Sequence, residues 1–304
     1  VSVDVLVAIG SGTIHDLTRY AATEYDIPFV SVPTAASVDG YAANVVCLTW
    51  DGMKKTIPGV SPRWILADTE IFARAPKRLT ASGVSDLLGK YTAILDWRVS
   101  HLVTGEYICE DICELLERAI KDVDRELEDI RNGEWDAVEK LMYALVLSGL
   151  AMQMAGSPRP VSGAEHMAAH FWDMKDPKGD RGTLHGEEVG VALVLVAEHY
   201  KKLERAIRHG MVKVRSDSAR GLEMELLEKT FEDTEVLDGV LADNDPNPLD
   251  EIDLEKLEEQ LGEIQDLIHD LPDSYEILQK LNEAGCVTRP EEIGLTREMI
   301  ENTL

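Results

Sequence analysis

The chain has 304 residues, of which 44% are hydrophobic and 29% are charged, and its formal net charge is −27. A chain of this size can bury a substantial core in one large or two medium domains. The acidic excess argues against nonspecific nucleic-acid binding, which requires a basic face, and no apolar run reaches the roughly 20 residues needed to span a bilayer. We therefore expect a globular protein with neither nucleic acid nor membrane as a partner.

The first 78 residues alternate short apolar runs with turns. The runs DVLVAIG (4–10), IPFVSVPT (27–34) and WILADTEIF (64–72) predict three strands, and GSGTIHDLTRYAATEYD (10–26) predicts a glycine turn entering a helix. This order indicates a parallel α/β unit. The chain begins at Val1 with no initiator methionine and enters a strand almost at once. Because three strands are few for a stable open sheet, we interpret residues 1–78 as part of a domain whose first strands are missing.

From Leu79 onward the strand pattern disappears and helical periodicity takes over. The predicted helices cover residues 80–103, 135–156, 162–174, 186–203 and 254–271. We therefore place a domain boundary after residue 78, with an α/β part in 1–78 and an all-helical part in 79–304. Residues 243–253, rich in Asp, Asn and Pro, predict a turn-rich break, and the acidic helix that follows is interpreted as having a solvated face.

The four cysteines, at positions 47, 109, 113 and 286, show no paired metal-binding spacing. Cys109 and Cys113 lie four residues apart in a helical stretch, which favours two free thiols over a redox motif. This cysteine usage predicts a reducing cytoplasm as the location.

Two turns of the α/β part are candidates for ligand binding. Gly10 and Gly12 lie between a strand and a helix, where backbone N–H groups can approach a pyrophosphate. The pattern is incomplete because His15 occupies the third glycine position of the dinucleotide fingerprint, so an ordinary strand-to-helix turn remains open. The loop SVPTAASVDG (31–40) follows the second strand, at the edge where open α/β sheets bind ligands, although its Ser, Thr and Asp also suit a plain turn.

The helical part offers polar residues that suit a metal site. Asp86 lies in SGVSDLLGK (82–90), which we expect to open the first helix of this part, and Lys90 could be its i,i+4 ion-pair partner. The segment SGAEHMAAHFW (162–172) sets His166 and His170 four residues apart, and His185 precedes a helix. Asp86, His166 and His185 together would make one carboxylate and two imidazoles, the ligand set of a catalytic zinc-type site. Spacing alone leaves open whether both, one or neither of His166 and His170 is a ligand.

Six motifs in order resemble a known family. They are GSGTIHD, SVPTAASVDGYAA, ILADTEI, SGVSDLLGKYTAILDWR, SPRPVSGAEHMAAHFW and LHGEEVGVA. The set is similar to the sn-glycerol-1-phosphate dehydrogenases, in particular the bacterial form, within the superfamily of iron-type alcohol dehydrogenases, glycerol dehydrogenase and dehydroquinate synthase. The resemblance implies a dinucleotide-binding α/β domain and a helical domain with the active site between them. It also implies reversible NAD- or NADP-dependent reduction of dihydroxyacetone phosphate by a cytoplasmic homo-oligomer.

The resemblance also implies roles for individual residues. One divalent metal, zinc or nickel, would be bound by Asp86, His166 and His185. His170 and Asp86 would be catalytic, and both would contact the substrate together with Asp39. The dinucleotide would contact ten residues: Gly10, Gly12, Thr13, Ile14, His15, Asp16, Thr34, Ala35, Ala36 and Ser37. The family tends to have a serine near the cofactor where this chain has Ala43.

A phosphorylated substrate also requires cations. Our candidates are Arg159, because its planar guanidinium suits phosphate, followed by Lys90, Lys54 and Lys55. Two alternatives remain open. The chain could resemble a glycerol dehydrogenase that acts on an unphosphorylated polyol, or it could be a truncated, non-catalytic relative that keeps the metal site.

Overall fold

The computed structural model describes residues 3–176, 178–215, 220–231, 234–247, 249 and 252–303. Its strands are β1 (Leu6–Gly10), β2 (Phe29–Pro33), β3 (Val45–Trp50), β4 (Met53–Pro58) and β5 (Trp64–Ile65). Strands β1, β2 and β5 form a parallel sheet in that order, in which Leu6 is opposite Phe29 and Val30 is opposite Trp64. Strands β3 and β4 form a separate antiparallel hairpin.

The rest of the described chain is mainly helical. The helices are α1 (Gly12–Glu24), α2 (Thr69–Phe72), α3 (Lys77–Leu88), α4 (Lys90–Thr104), α5 (Glu110–Asp124), α6 (Leu127–Asn132), α7 (Trp135–Ala155), α8 (Ala164–Met174), α9 (His185–Arg208), α10 (Arg220–Thr230), α11 (Thr234–Asp243), α12 (Leu254–His269), α13 (Ser274–Glu283) and α14 (Arg297–Glu301). The largest buried apolar cluster lies among these helices and includes Trp97, Leu116 and Leu145. None of the helices within the described ranges is both long enough and apolar enough to cross a membrane.

The α/β part differs from the sequence prediction at two places. The third predicted strand, 64–72, is a strand only over β5, because Asp68 caps α2 by accepting a hydrogen bond from the Glu70 amide at 2.9 Å. The β3–β4 hairpin was not predicted. Its turn is Asp51-Gly52, with both φ angles positive (50° and 78°), as a two-residue hairpin turn requires.

One face of β1 is open to solvent. Its side chains alternate between the two sides of the sheet, and Ala8 is fully buried whereas Val7 and Ile9 are 51% and 64% exposed. Val3 and Val5, just before the strand, are also exposed. Among the strands that the structure describes, β1 has a pairing partner on one side only, which is β2.

The predicted helices of the helical part match the observed ones except at one position, where a predicted helix is divided in two. Four predicted helices correspond to α7, α8, α9 and α12 within a few residues at their ends. The predicted helix 80–103 is instead divided at Gly89 into α3 and α4. Helix α3 begins at Lys77, directly after Pro76, so the predicted boundary at residue 78 falls within its first turn. The predicted break at 243–253 lies partly outside the described residues.

Two glycines allow α3 to pack closely against its neighbours. A Cβ atom at Gly83 would lie 2.1 Å from the Ala36 carbonyl oxygen, in the loop after β2. A Cβ atom at Gly186 would lie 1.9 Å from the Ser82 carbonyl oxygen, which brings the start of α9 against α3. These backbone approaches therefore hold the loop after β2, α3 and the start of α9 together.

We expect Gly83→Ala to destabilise the fold, because the new methyl group would overlap a backbone oxygen that cannot move without displacing the loop. Overpacking of this kind costs about 1–3 kcal/mol, so the midpoint of urea unfolding should fall. The matched control is Gly262→Ala in α12, where a Cβ atom would meet nothing within 4 Å. That change should raise stability by up to about 1 kcal/mol through helix propensity. Equal midpoints for the two variants would contradict the packing argument.

Candidate functional site

A cleft of about 420 Å³ lies where the carboxyl ends of β1 and β2, the β3–β4 hairpin and the starts of α8 and α9 meet. The sequence-predicted residues that line it are Gly12, Thr13, Asp16, Ser37, Asp39, His166, His170 and His185, together with Lys54 and Ala43. Part of the predicted site is thus brought to one cavity from segments more than 150 residues apart in sequence.

The glycine turn contributes one wall of the cleft. Gly12, Thr13 and Asp16 line it, whereas His15 is buried behind it and bonds through Nδ1 to the Ser11 carbonyl oxygen at 2.9 Å. A Cβ atom at Gly10 would lie 2.9 Å from the Ile14 Cβ atom, so this turn needs a glycine. Burial raises the pKa of the Asp16 carboxyl to about 6, although the nearby Arg19 lowers it.

The loop after β2 contributes a second wall through Ser37 and Asp39. The residues before Ser37 hold the loop in place rather than line the cleft. The Thr34 amide, for example, donates to the Gly10 carbonyl oxygen at 2.9 Å. Ala35 and Ala36 are buried, and the Ala35 carbonyl oxygen accepts from the Tyr41 hydroxyl. In the described chain, Thr34, Ala35, Ala36, His15 and the exposed Ile14 are not cleft-lining residues.

Three potential metal ligands converge beside the cleft. One ligand atom each from Asp86, His166 and His185 lies within 4.8 Å of the other two. The His166 Nε2 atom is 3.6 Å from Asp86 Oδ1, and the ring centroids of His166 and His185 are 5.1 Å apart. His170 lies next to this group, with its ring centroid 6.3 Å from that of His166. The structure therefore brings together the three residues that the resemblance assigns to the metal and sets His170 beside them.

Asp86 lies near the end of its helix, whereas we predicted it near the start. The segment 82–90 closes α3 rather than opening it, because α3 starts at Lys77. Asp86 is therefore in the last turn of α3, where the helix dipole does not favour a carboxylate. Its negative charge must be stabilised by groups outside α3 instead.

Lys90 supplies that stabilisation. Its Nζ atom lies 2.6 Å from Asp86 Oδ1 and 2.8 Å from Asp39 Oδ2, and its side chain is fully buried. The Asp39 amide also donates to Asp86 Oδ2 at 3.0 Å. Burial raises the pKa of the Asp86 carboxyl, but Lys90 and His166 outweigh this and hold it well below its usual value. The predicted i,i+4 pair is thus a buried bridge that also joins α4 to the loop after β2.

Glu165 orients the imidazole of His166. Its Oε1 atom lies 2.7 Å from His166 Nδ1, and it also accepts hydrogen bonds from the Thr92 hydroxyl and the Gly163 amide. A carboxylate at Nδ1 requires the proton there and directs Nε2 toward Asp86, which is the usual outer support of a metal-binding histidine. Sequence reasoning missed this role of Glu165, although a Glu directly before a candidate ligand histidine is a recognisable signal.

The protonation of the three histidines is set by burial and by these neighbours. Burial lowers the pKa of His166, but hydrogen bonds with Asp86 and Glu165 raise it to about 9. Burial lowers the pKa of His185 to about 4, despite the opposing effect of Asp86. Burial also lowers the pKa of His170 well below its usual value, and the nearby His185 and His166 lower it further.

The donor set and its charge suit a divalent cation. Two imidazoles and one carboxylate are the ligands that zinc-type catalytic sites use, with a further position left for substrate. Asp86 and Glu165 are buried carboxylates and Asp39 is largely buried; Lys90, the one buried lysine among the described residues, pairs with Asp39 and Asp86, and Glu165 pairs with His166. A bound divalent cation would balance the remaining negative charge, which is costly in a buried environment.

The two cations that we preferred for phosphate binding, Arg159 and Lys90, do not line the cleft. Arg159, the first choice, forms a bidentate pair with Glu106, with N–O distances of 2.7 and 2.6 Å. Lys90 is committed to the buried bridge, and Lys55 is exposed and does not line the cleft. Lys54, its neighbour in β4, does line the cleft. The Asp51-Gly52 turn could have indicated the hairpin and hence the alternation that separates the two lysines.

Comparisons with known proteins agree with this architecture. Residues 1–76 match the family model described as iron-containing alcohol dehydrogenase. The chain is 33% identical over 303 residues to a protein of Geobacillus stearothermophilus named glycerol-1-phosphate dehydrogenase [NAD(P)+], covering 99% of this chain and 67% of that protein. A protein of the same name from Bacillus licheniformis is 35% identical over 291 residues, covering 94% of this chain and 70% of its own length.

Solved structures show the same fold. A probable glycerol dehydrogenase from Sinorhizobium meliloti superposes with a TM-score of 0.63 at 16% sequence identity, covering 98% of this chain and 66% of the solved one. An iron-containing alcohol dehydrogenase from Thermotoga maritima gives a TM-score of 0.53 at 18% identity, covering 100% of this chain and 76% of that one. The α/β part, the helical part and the cleft between them thus define the fold class of the iron-containing alcohol dehydrogenases.

Within that class, the chain belongs to the glycerol-1-phosphate dehydrogenase family, as the identities to the two named relatives show. The chain spans about two thirds of the length of these relatives. The family predicted from the six sequence motifs is therefore confirmed, as is the fold class.

We expect Lys90→Met to destabilise the protein strongly, because it would leave Asp39 and Asp86 buried without their cation. Removing one partner of a buried ion pair costs about 3–5 kcal/mol, and the urea midpoint of the metal-free protein should fall accordingly. Lys202→Met is the control, since Lys202 pairs with Glu198 at the surface and should leave the midpoint nearly unchanged. A Lys90 variant as stable as the control would show that the bridge contributes little.

Proposed function

We propose that this chain catalyses the reversible NAD(P)H-dependent reduction of dihydroxyacetone phosphate to sn-glycerol 1-phosphate. The observation that carries the proposal is the convergence of Asp86, His166 and His185 beside a cleft, in a chain whose relatives are named glycerol-1-phosphate dehydrogenase [NAD(P)+]. The product belongs to glycerophospholipid precursor synthesis. The overall reaction adds a hydride to the carbonyl carbon and a proton to the carbonyl oxygen.

Asp86, His166 and His185 would hold one divalent metal, zinc or nickel. Such an ion acts as a Lewis acid that stabilises negative charge on the substrate oxygen. Glu165 would keep the His166 ring in place, and Lys90 would keep the Asp86 carboxylate ionised and fixed. The ligand geometry would therefore be set before substrate arrives, as preorganised catalysis requires.

Asp39 and His170 would face the substrate directly. The Asp39 carboxylate is oriented by Lys90 and can accept a hydrogen bond from a substrate hydroxyl. The His170 imidazole lines the cleft without belonging to the three-donor group, which leaves it available to hold or pass a proton. Asp86, through its place in the donor group, would act on both metal and substrate.

The dinucleotide, NAD or NADP, would bind along the wall formed by the glycine turn and the loop after β2. Gly12, Thr13, Asp16 and Ser37 line this wall, and the start of α1 favours an anion such as the pyrophosphate. Gly10 would act through the shape of the turn. The other residues assigned by resemblance, Ile14, His15, Thr34, Ala35 and Ala36, would shape this wall rather than line it.

Location and assembly form part of the same proposal. All four cysteines are free, which suits a reducing cytoplasm. Assembly as a homo-oligomer is implied by the family resemblance. The net charge of −27 makes a small molecule, rather than nucleic acid, the expected partner.

Alanine substitution should separate the metal ligands from His170. We expect Asp86→Ala, His166→Ala and His185→Ala each to lose bound zinc or nickel in elemental analysis after dialysis, because two remaining ligands hold an ion poorly. His170→Ala should retain the metal and lose turnover. Far-ultraviolet circular dichroism would verify folding of each variant. If His170→Ala lost metal as completely as His166→Ala, the ligand assignment would be wrong.

Substrate choice tests the reaction itself. With NADH or NADPH, the metal-loaded protein should reduce dihydroxyacetone phosphate with a much higher kcat/KM than dihydroxyacetone. Equal values for the two substrates would instead favour a polyol dehydrogenase. Metal binding without NAD(P)H binding or turnover would favour a non-catalytic relative. Oxidation of sn-glycerol 1-phosphate but not of its enantiomer would establish the stereochemistry.

A further inference from the structure

The cleft contains little positive charge for an enzyme with a phosphorylated substrate. Among its lining residues in the described chain, Lys54 is the only lysine or arginine. Two carboxylates, those of Asp16 and Asp39, line the same cleft. A phosphate dianion entering it would therefore meet repulsion from these groups and would need a specific cation in addition to a metal.

The hairpin explains why Lys54, and not its neighbour, faces the cleft. Side chains alternate along β4, so Lys54 and Thr56 share one face, and both line the cleft. Lys55 points to the other face and is exposed. The Lys54 side chain is only 17% exposed, so its charge is not dissipated in bulk solvent.

Asp173 holds the Lys54 ammonium in place. Lys54 Nζ lies 2.9 Å from Asp173 Oδ2. Asp173 is in the third turn of α8, the helix that also carries His166 and His170. Burial lowers the pKa of Lys54, but Asp173 outweighs it and raises the pKa, so the group is charged at neutral pH. An ammonium has three N–H donors, so this pair leaves donor capacity for a ligand in the cleft.

The other cations that sequence analysis proposed are engaged elsewhere. The Lys90 ammonium is fully buried between Asp39 and Asp86. The Arg159 guanidinium is paired through two nitrogens with Glu106. Neither group lines the cleft in the described chain, so neither can meet a phosphate there without moving its side chain.

We propose that Lys54, positioned by Asp173, binds the phosphate group of the substrate and thereby selects a phosphorylated ketose over its unphosphorylated form. The inference rests on the proposed function. It assigns the specificity to the hairpin rather than to the loop before His166. The pair with Asp173 places the Lys54 ammonium beside α8, the helix that carries His166 and His170, which favours the substrate over the dinucleotide as the source of the phosphate.

The experiment compares three variants with the wild-type protein, all metal-loaded. Lys54→Met removes the charge and keeps the aliphatic stem, Lys54→Arg keeps the charge, and Lys55→Met removes the adjacent charge on the opposite face. For each protein, kcat/KM is measured with dihydroxyacetone phosphate and with dihydroxyacetone. Calorimetry with sn-glycerol 1-phosphate, glycerol and inorganic phosphate gives affinities that do not depend on turnover.

We expect Lys54→Met to lower the preference for the phosphorylated substrate by roughly 10- to 100-fold, the loss that corresponds to one hydrogen bond to a charged group. Its affinity for sn-glycerol 1-phosphate and for inorganic phosphate should fall by a similar factor. Lys54→Arg should restore much of the preference, and Lys55→Met should match the wild type.

Several results would overturn the inference. One is a Lys54→Met protein that keeps the wild-type preference and phosphate affinity. Another is a variant whose KM for NADH or NADPH rises while its preference between the two ketoses is unchanged, which would assign Lys54 to the dinucleotide phosphates. A wild-type protein that does not distinguish the two ketoses would instead contradict the proposed function, so the two failures are distinguishable.

Discussion

The buried ammonium of Lys90 is the charge on which the site depends. It joins the carboxylates of Asp39 and Asp86, and so connects the loop after β2, the end of α3 and the start of α4. An isolated buried carboxylate would take up a proton and cease to be a good metal ligand. Because Lys90 keeps Asp86 ionised, one residue links the stability of the helical part to the chemistry of the cleft.

The second requirement is that the helices approach one another closely enough for their donors to meet. Gly83 and Gly186 remove the side chains that would separate α3 from the loop after β2 and from α9. Asp86 lies one turn beyond Gly83, and His185 directly precedes Gly186. Each glycine therefore lies next to a donor residue, and the glycine contacts set the distance between the donors as well as the packing of the helices.

Much of this was accessible from sequence, and the exceptions have physical causes. Periodicity predicted the helices that carry His166 and His185, because their apolar faces are buried in the usual way. It did not reveal that α3 and α4 are separate, since Gly89 lies within a continuous helical pattern. The pairing of Arg159 with Glu106 and the orientation of Lys54 depend on contacts between distant segments, which spacing along the chain does not encode. Residue types suggested Asp86, His166 and His185 as a ligand set, but the assignment of His166 rather than His170 came from family resemblance, because no spacing rule relates Asp86 to residues 80 and 99 positions away.

The open face of β1 leaves both apolar side chains and backbone groups available for further packing. A row of branched apolar side chains is exposed at Val3, Val5, Val7 and Ile9. Among the described strands, β1 pairs with β2 on one edge and with no strand on the other. Such an edge is a template onto which another strand can add, and natural proteins usually protect it with charge, proline or a covering segment. Asp4 is the one charged residue in the segment 3–9. A strand added at this edge would pair with β1, and a helix packed over Val7 and Ile9 would bury the apolar row, as helices do on the faces of parallel sheets.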